Sequence, residues 1–269
     1  MELVGRTVVL TGATDGIGRA TAVRLAGHVG HLILHGPQPR AEEAGFLETL
    51  TGRVTYLSAD FGHLDRLARL AEDIRQATDR VDLLVNNAGR PGAPRREVTA
   101  DGIEATLQTN YLSTVVLTTR LRDRVGRILN MASATHASEH LDLTDLGLAR
   151  GTYDGVTAYA RSKLAVVTYT FWLAARLDPS TAQVASMHPG VIRSSLLASM
   201  FAIEGQPPER GAANVVHVAT RPGSINGRYF DERTPSRPNP EAEDPAVQDV
   251  LLDRTAELLS PIGIDPRQL

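Results

Sequence analysis

One tyrosine and one lysine lie four residues apart in the segment TAYARSKLAVV, and their side chains could do acid–base chemistry. Lys163 is the one lysine among 28 lysines and arginines, and Tyr159 is one of six tyrosines. On a helix, residues i and i+4 lie on the same face, so the two groups are within reach of each other. An ammonium can approach a phenol closely and bind two ribose hydroxyls, which a planar guanidinium does less well. The alternative is that Tyr159 and Lys163 are a chance pair on a solvated helix. The surrounding residues must distinguish between the two interpretations.

The charge of the lysine matters because free tyrosine is a weak acid. Its pKa is near ~10, so action near neutrality needs a decrease of about 3 units, which corresponds to ~4 kcal/mol. An ammonium ~4–5 Å away at an effective dielectric constant of ~20 supplies ~3–4 kcal/mol. We therefore expect Lys163 to lower the pKa of Tyr159.

Two further polar side chains are expected to meet this pair. Ser133 closes the apolar run RILNMAS, and Ile103, Leu107 and Asn110 follow one another at intervals of four and three residues, which places Asn110 on the apolar face of a helical pattern. An unsatisfied polar group there would cost about 1–3 kcal/mol, so Asn110 needs hydrogen-bond partners. A hydroxyl, a phenol and an ammonium that converge beside a nicotinamide form a carbonyl-reduction site.

A glycine-rich turn follows the first apolar run, in TGATDGIGRA. Glycines here let the chain turn tightly and bring backbone N–H groups close to a pyrophosphate at a helix N-terminus. The spacing G-x-x-x-G-x-G differs from that of many dinucleotide folds, so the turn is a weak signal by itself. The residues expected to contact a cofactor in this turn are Gly12, Thr14, Asp15, Gly16, Ile17 and Gly18.

Two later strand ends carry polar or small residues that suit the same cofactor. Asp60 could accept a hydrogen bond from an adenine amino group, and capping of the next helix is an equally good role for it. The segment NNAG at 86–89 ends a strand at the edge where parallel strands face a ligand, although its asparagines could be turn residues. The expected contacts at these ends are Asp60, Phe61, Asn87, Ala88 and Gly89.

The elements that must position these residues are short β-branched strands that alternate with longer helical patterns. Such alternation predicts an α/β fold, a doubly wound parallel sheet of Rossmann type, as a single domain over residues 1–269. Two stretches interrupt the alternation. Residues 134–156 form an insert that we expect to wall the substrate pocket, and residues 231–245 are predicted to be an exposed loop before a final helix.

Composition indicates a partner of low molecular weight. The formal net charge of -3 gives no general attraction to nucleic acid or to an anionic membrane, and the first apolar run is too short for a signal or a membrane span. The absence of cysteine excludes thiolate chemistry and is compatible with a cytoplasmic location. His136 and His140 lie in the insert among acidic residues, and we expect no metal there because polar loops collect such groups without binding one.

Taken together, these motifs resemble the short-chain dehydrogenases/reductases over essentially the whole chain. The resemblance is carried by TGATDGIG, NNAG, Asn110, Ser133, Tyr159-x-x-x-Lys163 and HPGVIRSS. RILNMASATH, the long insert, MHPGVIRSSL and the late GRYFDE segment are similar to the retinol-dehydrogenase-like branch.

The resemblance implies a role for each residue of the set. Tyr159 is then the acid/base, Lys163 binds ribose and tunes Tyr159, Ser133 holds the substrate oxygen, and Asn110 anchors a proton-relay water. Ser194 stands where the family usually has a threonine that contacts the carboxamide, and its hydroxyl is kept. The remaining cofactor contacts implied are Pro189, Gly190, Ile192 and Ser194.

The coenzyme prediction rests on the end of the second strand. An NAD enzyme usually has a carboxylate there for the ribose 2′-hydroxyl, and none follows LHG. This branch usually carries an arginine that selects NADP, but Pro37 stands at that point, so we expect Arg40 to substitute. A surface arginine is the alternative for Arg40. NADP(H) is therefore favoured, with NAD(H) also compatible.

These residues predict an NADP(H)-dependent oxidoreductase that interconverts a hydrophobic ketone or aldehyde and its alcohol. A lyase or cyclase without net redox chemistry, or a nucleotide-sensing protein, would be the alternatives. Residues 195–210 are expected to form a substrate lid, because SLLASMFAI places several apolar side chains after the cofactor loop; a core helix is the alternative. Trp172, on the face turned from Tyr159, suits helix packing within the fold or between subunits, and we favour a homodimer.

Overall fold

The computed structural model describes residues 1–268, and one eight-stranded sheet forms its centre. The strand order is β3-β2-β1-β4-β5-β6-β7-β8, with every neighbouring pair parallel except β7 and β8. The strands are β1 Thr7–Leu10, β2 His31–Gly36, β3 Val54–Ser58, β4 Leu83–Asn86, β5 Arg127–Met131, β6 Gln183–His188, β7 Arg228–Asp231 and β8 Thr234–Ser236. This architecture confirms the predicted doubly wound α/β fold.

Helices cover both faces of the sheet. They are α1 Gly16–Leu25, α2 Ala44–Leu47, α3 Leu64–Ala77, α4 Ala105–Leu107, α5 Ser113–Leu121, α6 Gly155–Ala174, α7 Ser195–Met200, α8 Pro208–Thr220 and α9 Pro245–Leu259. Successive strand residues point to opposite faces, so Val9 joins one apolar core while Val8 and Leu10 join the other. The first core includes α3, α5, α6 and α9, and the second includes α1 and α8. Two covered faces explain why the central strands β1, β2, β4, β5 and β6 are almost completely buried.

The segment 231–245 is more ordered than the exposed loop that we predicted. Thr234–Ser236 pairs antiparallel with β7, and residues 240–243 form a 3-10 helix before α9. Pro235 lacks a backbone N–H, and a proline is tolerated in a strand at the edge of a sheet. Because Pro235 lies in a short polar run, the sequence did not indicate a strand here.

Trp172 packs inside the fold. Its side chain is buried, stacks on Tyr169 with ring centroids 6.2 Å apart, and lies under the guanidinium of Arg176 at 4.3 Å. Of the two packing roles predicted for Trp172, the structure therefore shows the internal one. The homodimer stays a prediction. Among residues 1–268, no helix combines the length and the apolar character needed to cross a membrane.

Candidate active site

A cavity of about 710 Å³ lies at the carboxyl ends of the strands. The turn after β1, the ends of β2 to β6, and residues of α6 and α7 line it. The predicted residues in the lining are Gly12, Thr14, Asp15, Gly16, Ile17, Gly18, Asp60, Phe61, Asn87, Ala88, Gly89, Ser133, Tyr159, Lys163, Pro189, Gly190, Ile192 and Ser194. Two predicted site residues, Arg40 and Asn110, lie outside this lining.

The glycine turn forms a close-packed cradle at one end of the cavity. A Cβ atom on Gly18 would lie 1.9 Å from the carbonyl oxygen of Gly12, and one on Gly12 would lie 2.7 Å from the Cα of Ala88. The Asn87 amide donates to the carbonyl oxygens of Thr11 and Gly12 at 2.9 and 3.1 Å and thereby fixes the turn. The close-packed backbone of this turn leads directly into the start of α1. This arrangement suits the pyrophosphate of a dinucleotide.

Asp15 and Ser195 connect the glycine turn to α7. The Asp15 carboxylate caps α1 by accepting from the N–H of Gly16 at 2.7 Å, and it also accepts a hydrogen bond from the Ser195 hydroxyl. Ser194 caps α7 by accepting from the N–H of Leu197 at 3.1 Å. Asp15 and Ser194, both predicted to contact the cofactor, are therefore also the N-terminal caps of α1 and α7.

His35 is a lining residue that the sequence did not single out. It is buried, its ring stacks on Phe61 with centroids 4.2 Å apart, and its Nε2 lies 2.9 Å from the carbonyl oxygen of Ala59. Burial lowers the pKa of His35 to about 4, so the ring is neutral. Nε2 then donates to Ala59, and Nδ1 accepts from the N–H of Gly12 at 3.4 Å. The sequence feature that could have indicated a site role for His35 is its position at the end of β2.

The end of β2 brings Pro37 and Gln38 into the lining. Thr14 donates to the Gln38 side-chain oxygen at 3.0 Å, which joins this end to the glycine turn. Asp60 lines the cavity and accepts from the N–H of Gly62 at 2.9 Å, so it forms a local turn and does not cap α3. Arg40 is exposed.

Tyr159 and Lys163 project from α6 into the buried floor of the cavity, as their spacing predicted. The Lys163 ammonium lies 5.7 Å from the centre of the Tyr159 ring and donates to the carbonyl oxygen of Met131 at 2.9 Å. Asp154 caps α6 by accepting from the N–H of Thr157 at 2.8 Å and so fixes where the helix begins.

The pKa of Tyr159 differs from the expectation. Burial raises the pKa of Tyr159 to about 12, and the neighbouring Ser133 side chain acts in the opposite direction. Burial also lowers the pKa of Lys163 to about 8. Our expectation counted the attraction between ammonium and phenolate but omitted the cost of removing a phenolate from water, which is the largest effect on the pKa of this group. Tyr159 is therefore protonated at neutral pH.

Asn110 lies beneath the cavity in an irregular part of its helix. α4 continues through a wide π turn, Gln108–Leu112, into α5, and such turns frequently occur at functional sites. The Asn110 side chain accepts from the N–H of Arg90 at 2.8 Å and donates to the Arg90 carbonyl at 3.1 Å and to Ser162 at 3.0 Å. These bonds supply the partners that a buried amide needs, and they position the chain after Gly89.

The insert and the lid contribute unequally to the cavity. Of the insert, only Ala134 and Thr135 are in the lining, so the wall that we expected from residues 134–156 is limited to its first turn. The remainder is held to the late segment, where the Asn239 amide donates to the carbonyl oxygens of His136 and Glu139 at 3.1 and 2.7 Å.

α7 and the residues after it cover the cavity from the other side. Leu196, Leu197, Phe201 and Ile203 line it, and Ile203 remains 56% exposed. Met200, which also belongs to the predicted lid, accepts a hydrogen bond at its sulfur from the N–H of Gly92 at 3.2 Å. α7 contains no fully buried residue, which distinguishes it from the core helix considered as its alternative.

The fold and this cavity define a single-domain dinucleotide-binding oxidoreductase. A glycine turn, small residues at the strand ends, and a serine, a tyrosine and a lysine meet in one cavity. The sequence pattern of the short chain dehydrogenases matches residues 6–204. The chain belongs to the short-chain dehydrogenase family.

Relatives from mammals support this assignment. Human retinol dehydrogenase 13 is 34% identical over 281 residues, which cover 95% of this chain and 85% of the relative. Mouse polyprenol dehydrogenase is 32% identical over 274 residues, which cover 91% of this chain and 81% of the relative. The chain is therefore similar to the retinol-dehydrogenase-like branch, as the motifs predicted, and it is an NAD(P)-dependent oxidoreductase.

Solved structures share the fold along nearly the full length. An uncharacterized protein from Mycobacterium paratuberculosis superposes with a TM-score of 0.82 at 27% identity and 96% coverage of both chains. A short chain dehydrogenase from Burkholderia cenocepacia J2315, in complex with NADP, superposes with a TM-score of 0.65 at 27% identity, covering 86% of this chain and 97% of that one.

Proposed function

We propose that the protein interconverts apolar ketones or aldehydes and their alcohols by hydride transfer, with Tyr159 as the acid/base. The observation that carries this proposal is the convergence of Ser133, Tyr159 and Lys163 in the cavity that also holds the glycine turn. A panel of ketones mixed with reduced coenzyme tests it. Substrate-dependent loss of the reduced-nicotinamide absorbance is expected, whereas substrate conversion without that loss would favour the lyase or cyclase alternative.

The side chains divide the chemistry between them. When bound, the coenzyme supplies or accepts the hydride at its nicotinamide. Ser133 donates a hydrogen bond to the carbonyl oxygen, and Tyr159 transfers its phenolic proton to the same oxygen. Tyr159 is protonated at neutral pH, and burial raises its pKa further, so the residue begins reduction as an acid. The Lys163 ammonium beside the ring then stabilises the phenolate that remains.

An apolar substrate is supported by the residues over the cavity. Leu196, Leu197, Phe201 and Ile203 face it, while the cations of its lining are Arg90 and Lys163 within residues 1–268. Lys163 is bonded to Met131, and Arg90 is paired with Glu97. The names of the mammalian relatives, for retinol and polyprenol, denote apolar alcohols and support the same substrate class.

Shortening the lid should selectively impair turnover of bulky substrates. A buried aromatic side chain contributes about 1.5–3 kcal/mol, so we expect Phe201→Ala to lower kcat/KM for a bulky apolar ketone ~10- to 150-fold. A small ketone that does not reach Phe201 should lose much less. Val250→Ala, at an exposed site on α9 outside the cavity, is the control. Equal losses for both ketones, or a wild-type preference for charged sugars, would contradict the apolar pocket.

NADP(H) is the coenzyme that we propose as preferred. None of the β2-end residues from His35 to Gln38 is acidic, so no carboxylate there repels a 2′-phosphate. Within residues 1–268, the exposed Arg40 side chain makes no hydrogen bond or ion pair, which leaves its guanidinium available to that phosphate. The NADP complex of the Burkholderia enzyme supports the same coenzyme.

Arg40→Ala should narrow the coenzyme preference. A charge-assisted contact to phosphate contributes about 1.5–3 kcal/mol, so the ratio of the Kd values for NAD(H) and NADP(H) should fall ~10- to 150-fold. Calorimetric titration with both coenzymes measures this ratio. Arg24→Ala, an exposed arginine on α1 outside the cavity, should leave it unchanged. Equal affinities in the wild type, or an unchanged ratio in Arg40→Ala, would show that Arg40 does not bind the phosphate.

A further inference from the structure

Ser133 has a second hydroxyl beside its own. Thr135, which also lines the cavity, donates its hydroxyl proton to Ser133 Oγ at 3.1 Å. The backbone N–H of Thr135 approaches the same oxygen at 3.3 Å, because Ser133 caps the 3-10 helix Ala134–Ser138. The Ser133 oxygen is therefore an acceptor for both donors of Thr135, its hydroxyl and its backbone N–H.

A hydroxyl oxygen has two acceptor lone pairs and one proton. With both lone pairs directed to Thr135, the Ser133 hydroxyl can take part in a further hydrogen bond only by donating its proton. Tyr159 lines the same cavity as Ser133, and the Ser133 side chain acts to lower the pKa of the Tyr159 phenol. A substrate carbonyl oxygen beside Tyr159 would likewise find a donor at Ser133.

We propose that Thr135 is a positioning residue that holds Ser133 as a hydrogen-bond donor in the reaction. This inference rests on the proposed function. Without the threonine hydroxyl, one lone pair of Ser133 is free, and the serine can turn its proton away and accept from Tyr159. The protonated tyrosine would then be stabilised in place of the carbonyl oxygen, and proton transfer would slow.

The local backbone does not depend on the Thr135 hydroxyl. His136 donates from Nδ1 to the carbonyl oxygen of Ser133 at 2.6 Å, and its Nε2 accepts from the N–H of Asn239 at 3.3 Å. The N–H of His136 also donates to the Ser133 carbonyl at 3.2 Å. Thr135→Val, which keeps the branched shape and the backbone N–H, should therefore leave the turn folded.

The experiment combines Thr135→Val, Thr135→Ser and Ser133→Ala in a double-mutant cycle read as kcat for ketone reduction. One net hydrogen bond contributes about 0.5–1.5 kcal/mol, so Thr135→Val should lower kcat ~2- to 13-fold, with KM little changed. Thr135→Ser should restore kcat. In the Ser133→Ala background, Thr135→Val should change kcat less than about 2-fold, because the group through which it acts is gone.

The pH profile of alcohol oxidation gives a readout that a purely structural role would not move. Oxidation needs the phenolate of Tyr159, so its rate rises with pH through that pKa, and loss of the Ser133 donor should shift this rise to higher pH. Wild-type kcat in Thr135→Val, an equal loss in the Ser133→Ala background, or no rescue by serine would overturn the inference. If Ser133→Ala itself leaves kcat unchanged, it is the proposed role of Ser133 that fails.

Discussion

Tyr159→Phe should lower kcat by ~10²–10⁴-fold while the coenzyme Kd stays within a few-fold of wild type. The substitution removes only the phenolic group, and general acid catalysis is typically responsible for rate factors of ~10²–10⁴. The ring continues to occupy its buried site, where the residue is 7% exposed. Steady-state reduction of a ketone, together with fluorescence titration of the coenzyme, measures both quantities.

A second buried tyrosine on the same helix provides the matched control. Tyr169 lies on α6 outside the cavity lining, so Tyr169→Phe should leave kcat near the wild-type value even where it lowers stability. Turnover near wild type in Tyr159→Phe would show that another group delivers the proton. A comparable loss in both variants would attribute the effect to helix packing and not to proton transfer.

Gly18→Ala should weaken coenzyme binding by about 5- to 150-fold. The new Cβ would lie 1.9 Å from the carbonyl oxygen of Gly12 and 2.6 Å from Nδ2 of Asn87, and both groups belong to the fixed cradle. Overpacking of this kind typically costs 1–3 kcal/mol, a range that corresponds to ~5- to 150-fold in affinity. Because the turn must move away from the pyrophosphate, Kd for the coenzyme should rise more than KM for the ketone.

Gly45→Ala is the control for this change, since a Cβ at Gly45 would meet no atom within 4 Å. Thermal unfolding without coenzyme separates a distorted turn from an unfolded protein. We expect Gly18→Ala to remain folded at assay temperature with a reduced stabilisation by added coenzyme. Wild-type coenzyme affinity in Gly18→Ala would mean that the turn does not hold the pyrophosphate.

Periodicity and motif order predicted most of the fold because they report burial directly. The seven parallel strands lie in the segments whose β-branched runs indicated them, and the glycine turn joins β1 to α1 as expected. β8 was missed because three exposed residues with a central proline carry no alternation. The π turn at Gln108–Leu112 was missed because one wide turn hardly disturbs a helical pattern.

The site was predictable in its composition and less so in its energetics. Strand ends of a parallel sheet share one edge, so residues that follow different strands, such as Ser133 and Asn87, could be placed together from the sequence. The pKa of Tyr159 depends on how completely the phenol is buried, which spacing does not reveal. The bond from Thr135 to Ser133 depends on the cap of a short 3-10 helix, and sequence gives little sign of it.

Transfer of deuterium from coenzyme to product tests the central claim most directly. Reduction of a bulky apolar ketone with coenzyme deuterated at the transferring position of C4 should give an alcohol that carries the deuterium on its carbinol carbon, as detected by mass spectrometry. Tyr159→Phe should produce this alcohol ~10²–10⁴-fold more slowly. Product without deuterium, or product formed with no coenzyme consumed, would contradict hydride transfer in this cavity.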